Sequence, residues 1–176
     1  GKSSFKAADL KVTLNPDKSK VVLPKEKPFG VIPTRHMLVV DSNKGEWSKP
    51  EIVPFAPFQI HPFNSALHYA LSCFDGFKAY RDPQNRIRLF RPWENMKRFL
   101  NSSERLALAS FDPQELQKCI ERLLIIEKDW IPSEKGESLY IRPFHFGAEN
   151  ALGVKPSSQT KLMVVLCPVG GYFGGS

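Results

Sequence analysis

The stretch FKAYRDPQNRIRLFRPWENMKRFL, residues 77–100, holds two β-prone runs, a turn between them and the opening of a helix. Asp82-Pro83-Gln84-Asn85 are turn formers, so the runs on either side predict a β-hairpin. Pro92 is tolerated in a first helical turn, and the spacing predicts a helix from there to about residue 106. Met96, Phe99, Leu100, Ser103, Leu106 and Ala107 recur at the helical period and are expected to form its buried stripe.

Working outward, residues 1–30 are polar and rich in proline and lysine, and read as an arm with little regular structure. HMLVV (36–40) is expected to be a buried strand, DSNKGEW (41–47) a turn, and EIVPF (51–55) a partner strand weakened by Pro54. Asn64 or Ser65 can cap a helix expected to run to Phe74 and end near Gly76. Asp112, with Glu115 three residues on, forms a capping-box pattern before a further helix. Its apolar stripe would be Leu116, Ile120, Leu123, Leu124 and Ile126. SLYIRPFHF (138–146) reads as a strand interrupted at Pro143, and KLMVVLCPV (161–169) as a well-buried strand. Hairpins mixed with amphipathic helices predict an α+β fold, an antiparallel sheet with helices packed against it.

At 176 residues the chain suits one domain plus a terminal arm, and a globule of that size buries roughly 70% of its unfolded surface. The net charge of +7 invites a nucleic-acid reading. The cations are spread along the chain, with only Lys18, Lys20, Lys25 and Lys27 loosely grouped, so no nucleic-acid role is expected. Cys73, Cys119 and Cys167 lack CxxC spacing and lie in hydrophobic runs, which predicts buried reduced thiols in a cytosolic or matrix protein. His36, His61, His68 and His145 show no metal-ligand spacing beyond a loose pair at 61 and 68, which would share a helical face only if a helix began before Pro62, against expectation. No apolar run approaches the ~20 residues that span a bilayer, so no membrane role is expected.

Three polar positions carry possible chemistry. Periodicity alone makes Arg98 a solvated side chain on the helix face shared with Ser102 and Arg105. Tyr140 and Arg142 lie two apart on a strand and therefore share a face, with Leu139 and Ile141 turned to the core. Both donate hydrogen bonds, which suits recognition of a carboxylate; a cross-strand ion pair is the alternative.

Three runs in this order, SALHYALSCFDGFKAY (65–80), RIRLFRPWENMKRFL (86–100) and SLYIRPFHFG (138–147), resemble the N-terminal half of branched-chain amino acid aminotransferases. These are pyridoxal 5'-phosphate (PLP) enzymes of fold type IV. The resemblance extends from FKAADL (5–10) to PVGGYFGGS (168–176). It implies a homodimeric transaminase exchanging amino groups between leucine, isoleucine or valine and 2-oxoglutarate. It assigns Arg98 to the PLP phosphate, and Tyr140 and Arg142 to the substrate site, the arginine reading the distal carboxylate of the acidic partner. Phe29, Tyr69, Phe74, Leu152 and Val154 would form the apolar side of that site, with Leu152 and Val154 the ones expected to reach into the neighbouring subunit, and Tyr172 would lie on a mobile interdomain connection. On composition alone, each of those five apolar residues is more often core than pocket. For Tyr69, Leu67, Ala70, Leu71 and Phe74 are alternative core residues of the same helix.

The resemblance divides the chain into an arm (1–30), a small domain (31–168) and the start of an interdomain loop (169–176). In the family the cofactor-bearing lysine belongs to a C-terminal domain, the expected partner of this half, so no catalytic residue is expected here. Lys78 and Lys97 do not match its position. The family usually has Phe-Glu-Gly where this chain has Phe74-Asp75-Gly76, read as a detail of a helix terminus. A D-amino acid aminotransferase or aminodeoxychorismate lyase is the alternative within the fold, against which the Tyr140–Arg142 pair and LFRPWENMKR (89–98) argue. A non-catalytic interaction module is the alternative outside it. The compartment expected is cytoplasmic, with a mitochondrial one left open.

Overall fold

The structure, a computed structural model, describes residues 3–171. In chain order its elements are β1 (Lys11–Val12), β2 (His36–Asn43), β3 (Glu46–Trp47), β4 (Glu51–Pro54), helix α1 (Ser65–Tyr69), β5 (Ser72–Phe74), β6 (Phe77–Arg81), β7 (Ile87–Leu89), helices α2 (Pro92–Arg105) and α3 (Pro113–Ile126), then β8 (Ser138–Gly147) and β9 (Gln159–Val169). The strands form one sheet in the order β1-β4-β2-β9-β8-β6-β7, with β3 beside β2 and β5 beside β8. The pairings are antiparallel apart from the two-residue match of β1 to β4. This is the α+β architecture expected. Among the described residues no helix is long and apolar enough to cross a membrane.

The alternation of β8 and β9 sorts the sheet into two faces. Leu139 and Ile141 of β8, Leu162, Val164 and Leu166 of β9, and Leu38 and Val40 of β2 turn inward. They meet Met96 and Phe99 of α2 and Leu116, Ile120 and Leu123 of α3 in one core. Tyr140, Arg142 and Phe144 alternate with them and turn to the opposite face.

Several local expectations need correction. Helix α1 stops at Tyr69, with Ala70 left-handed at φ 54°, and residues 72–74 form strand β5 instead. The reason lies in β8: of that strand, β6 reaches only Leu139, Tyr140 and Ile141. The backbone groups further along need partners, and β5 provides them, Phe74 opposite Phe144 and Ser72 opposite Phe146. Strand β8 also runs unbroken through Pro143. That residue falls in the gap between β5 and β6, where its carbonyl accepts from the Asp75 N–H and no strand requires an N–H in return.

The capping box at α3 does not close. Asp112 caps Gln114, but Glu115 accepts from the backbone N–H of Ala7 in the arm. That contact belongs to a docked segment: Phe5 is buried and packs edge-on against Trp47, with ring centroids 5.1 Å apart. The first 30 residues thus carry a strand, a 3-10 turn over Ala7–Asp9 and a core residue. The stripe of α2 is buried at Met96, Phe99 and Ser103, while Ala107 lies past the helix end at φ 55°. Of the cysteines, Cys119 is buried, its thiol pushed up to about 12 by desolvation, and Cys73 and Cys167 are only partly covered.

Two polar clusters sit inside. His145 bridges Ser103 Oγ (2.9 Å) and Thr160 Oγ1 (2.8 Å), and Thr160 continues to Ser42 Oγ at 2.5 Å. Burial pushes the His145 imidazole down to about 3, so it is neutral at physiological pH. His36 Nε2 accepts from the Asn15 N–H, which leaves its proton on Nδ1 for Glu127 Oε1 at 2.6 Å. This ties the arm to β2 and to the end of α3.

Candidate functional site

Strand β5, the turn at Asp75-Gly76 and strand β6 run alongside β8, and this crossing places the polar residues of the site. Arg98 projects from α2 with its side chain 62% exposed, while that of Asp75 is 4% exposed. The Asp75 carboxylate accepts from Arg98 Nε and Nη2, each at 2.7 Å, and from Asn95 Nδ2 at 3.0 Å and the Gly76 N–H at 2.7 Å. Burial pushes the Asp75 carboxyl up, but these hydrogen bonds and the Arg98 charge outweigh it and hold the group below the usual carboxylate range. The pair therefore stabilises the fold above the ordinary carboxylate pKa, and that contribution is lost as pH falls through the lowered value. One edge of the guanidinium is engaged, and Nη1 lies away from it, able to donate elsewhere. Arg98 is thus an exposed cation held at a fixed angle, unlike a freely solvated side chain.

Tyr140 and Arg142 occupy one face, as their spacing implies. Arg142 Nε and Nη2 donate to the Tyr140 hydroxyl oxygen at 3.2 and 2.9 Å, which leaves the hydroxyl proton for an incoming acceptor. The Arg142 guanidinium lies 4.1 Å from the centroid of the Phe74 ring, a cation–π contact that leaves Phe74 60% exposed. Phe29 meets Tyr140 edge-on at 4.9 Å. Phe29, Phe55, Tyr140, Arg142, Val165 and Cys167 line a cleft of about 380 Å³. Phe29, Phe74, Tyr140 and Arg142 therefore converge, and Arg98 joins them through the Asp75-Gly76 turn.

The remaining predicted residues form a second group. The Tyr69 hydroxyl donates to the Leu152 carbonyl, and Val154 stands 85% exposed on the same loop. Leu67 is exposed as well, so it is no core alternative to Tyr69. Ser157 pins that loop to Ser65 at the start of α1 and to the Glu149 N–H. Tyr172 lies outside the described residues. A separate cleft of about 480 Å³, between residues 58–64 and the ends of β2 and β9, contains none of the predicted residues. Among the described residues no group of His, Cys, Asp or Glu is arranged to hold a metal ion.

Sequence reasoning missed Asp75, Gly76 and Asn95. Asp75 is no helix-terminus detail; it stands between two strands and buttresses Arg98. Its one sequence signal was the departure from Glu, because the partners at 95 and 98 lie 20 or more residues away.

No protein-family model matches the chain. It is 47% identical over 175 residues to the mitochondrial branched-chain-amino-acid aminotransferase of Mus musculus, covering 98% of this chain and 44% of that protein. It is 45% identical over 171 residues to the cytosolic form of Rattus norvegicus, covering 97% of this chain and 42% of that protein. The chain therefore spans less than half the length of the curated relatives it matches. Among solved structures, the T.th. branched-chain amino acid aminotransferase with pyridoxamine 5'-phosphate gives a TM-score of 0.62 at 28% identity, over 82% of this chain and 43% of its own. The same enzyme has been solved in complex with N-(5'-phosphopyridoxyl)-L-glutamate. The open face that carries Tyr140 and Arg142 thus lies on a scaffold shared with these proteins, and the chain belongs to the branched-chain amino acid aminotransferases of fold type IV, taking the fold of their N-terminal domain.

Proposed function

We propose that this chain is the small domain of a PLP-dependent transaminase that moves the amino group of leucine, isoleucine or valine to 2-oxoglutarate. The observation that carries the reading is that two arginines, Arg98 and Arg142, are oriented by adjacent residues of one crossing, Asp75 and Phe74. The site suits the coenzyme's phosphate, because a guanidinium fixed on one edge by a buried carboxylate presents its other edge to an anion. Arg98 would hold that phosphate. When bound, the coenzyme supplies an electron sink for the bond broken at the amino acid's α-carbon.

Arg142 and the Tyr140 hydroxyl would bind the distal carboxylate of glutamate or 2-oxoglutarate. The ring of Phe74, stacked on Arg142, and Phe29 would pack against an aliphatic substrate side chain in the same space. One pocket thereby accepts both partners, since Arg142 is held by aromatic and hydroxyl contacts whether or not a carboxylate is present. Leu152 and Val154, on a loop tied to Tyr69 rather than to Arg142, would serve the neighbouring subunit's site in a homodimer. Residues 1–30 would be the arm and 31–168 the small domain, with 169–176 leading to a C-terminal domain. Lys97 pairs with Glu94 on the surface of α2 and is no candidate for the cofactor-bearing lysine. We therefore expect these 176 residues alone to be inactive. The relatives include mitochondrial and cytosolic forms, and a cytoplasmic location is our reading for this one.

The test uses the full-length protein loaded with PLP. Leucine with 2-oxoglutarate should yield glutamate, and Arg142→Ala should raise the KM for 2-oxoglutarate far more than that for leucine. No glutamate from any of the three amino acids would overturn the reading.

A further inference from the structure

We infer that Phe74-Asp75-Gly76 is a single positioning element that sets both anion-reading arginines at once, with Asp75 as the positioning residue for Arg98. The inference rests on the function proposed above and adds residues to it. Each of the three residues makes a different contact. The Phe74 ring carries the Arg142 guanidinium. Asp75 engages Arg98 along its Nε–Nη2 edge and is itself held by Asn95 and the Gly76 N–H. Gly76 provides the space for Tyr140: a Cβ there would overlap the tyrosine hydroxyl and lie 2.6 Å from Cζ.

The crossing itself is fixed from both sides. Phe74 pairs with Phe144, Phe77 pairs with Ile141, and the Asp75 N–H donates to the Pro143 carbonyl between them. The two residues between β5 and β6 therefore cannot shift without breaking a strand pairing. An exposed arginine with four free torsions would pay ordering entropy each time it bound an anion. The Asp75 contact imposes that order during folding, so binding no longer has to. Gly76 extends the same logic to the other arginine, because Arg142 donates to the hydroxyl that Gly76 seats.

The experiment uses the full-length protein and two readouts, PLP affinity of the apoprotein by absorbance titration and the KM of each substrate. Asp75→Asn keeps the volume and removes the charge. It should weaken PLP binding by about tenfold to a hundredfold, with the melting temperature of the apoprotein recorded alongside. Asp75→Glu restores the charge and should bind PLP within a few-fold of the parent. Gly76→Ala should raise the KM for 2-oxoglutarate more than that for leucine. The proposal is overturned if Asp75→Asn binds PLP as the parent does, if Asn and Glu weaken binding equally, or if Gly76→Ala changes both KM values alike. A parent protein that does not bind PLP would instead overturn the function on which the inference rests.

Discussion

The two faces of strand β8 have opposite environments. Leu139 and Ile141 on one face are fully buried, while Tyr140 and Arg142, one residue away in each case, stay partly exposed on the other. The inner face is closed by α2 and α3. The outer face is covered at one end, where Met37, Phe146 and Met163 cluster, and is open where Tyr140 and Arg142 stand. One strand therefore supplies core and recognition surface together. The inner face tolerates little change in volume, whereas the outer face can change chemistry at little cost to the fold.

The largest effect should come from breaking the inner face. Leu139→Ala removes a fully buried side chain between sheet and helices and should cost about 2–5 kcal/mol of stability, measured by urea unfolding. A cost below about 1 kcal/mol would show that the inner face is not the close-packed side.

A second prediction uses the buried imidazole on the inner face. The folded His145 is held down to about 3, whereas the unfolded ring titrates near 6.5. Between those values the unfolded chain binds a proton that the folded chain refuses. Stability from this group is thus complete above pH 6.5 and is lost as the pH falls toward 3. The slope approaches about 1.4 kcal/mol per pH unit, which integrates to about 1.6 kcal/mol between pH 6.5 and 5. Unfolding free energies of the parent and of His145→Gln over that range check it; the variant should lose the steep dependence.

The smallest effect should come from the outer face. Arg142→Ala removes a partly exposed guanidinium and its contacts with Tyr140 and Phe74, and should shift unfolding by less than about 1 kcal/mol. A larger loss would make Arg142 part of the fold's own support and erase the contrast between the faces.

Much of this division is legible in the sequence. The period-two pattern of SLYIRPFHF sorts Leu139 and Ile141 from Tyr140 and Arg142, and the period of α2 identifies Met96 and Phe99. Both are local signals that packing reinforces. What escaped was set by distant partners. LHYALSCF reads as helix from its own residues, but residues 72–74 answer the open backbone of β8, 70 or more positions away. Pro143 looks like a break until its place in the gap between two neighbouring strands is known. Glu115 has the spacing to complete a cap, yet the N–H it accepts from belongs to Ala7. Asp75 shows no local sign of its role, because its partners Asn95 and Arg98 arrive on a different element.

The seat of Trp47 has an optical consequence. Its indole N–H donates to the Ser110 carbonyl, its ring meets Phe5 of the arm, and the His145 imidazole lies 5.7 Å away. Indole emission shifts when water reaches the ring and is quenched by a nearby imidazolium. With Trp93 and Trp130 replaced, the emission of Trp47 would therefore signal both the undocking of the N-terminal segment and the entry of a proton into the interior, without any attached dye.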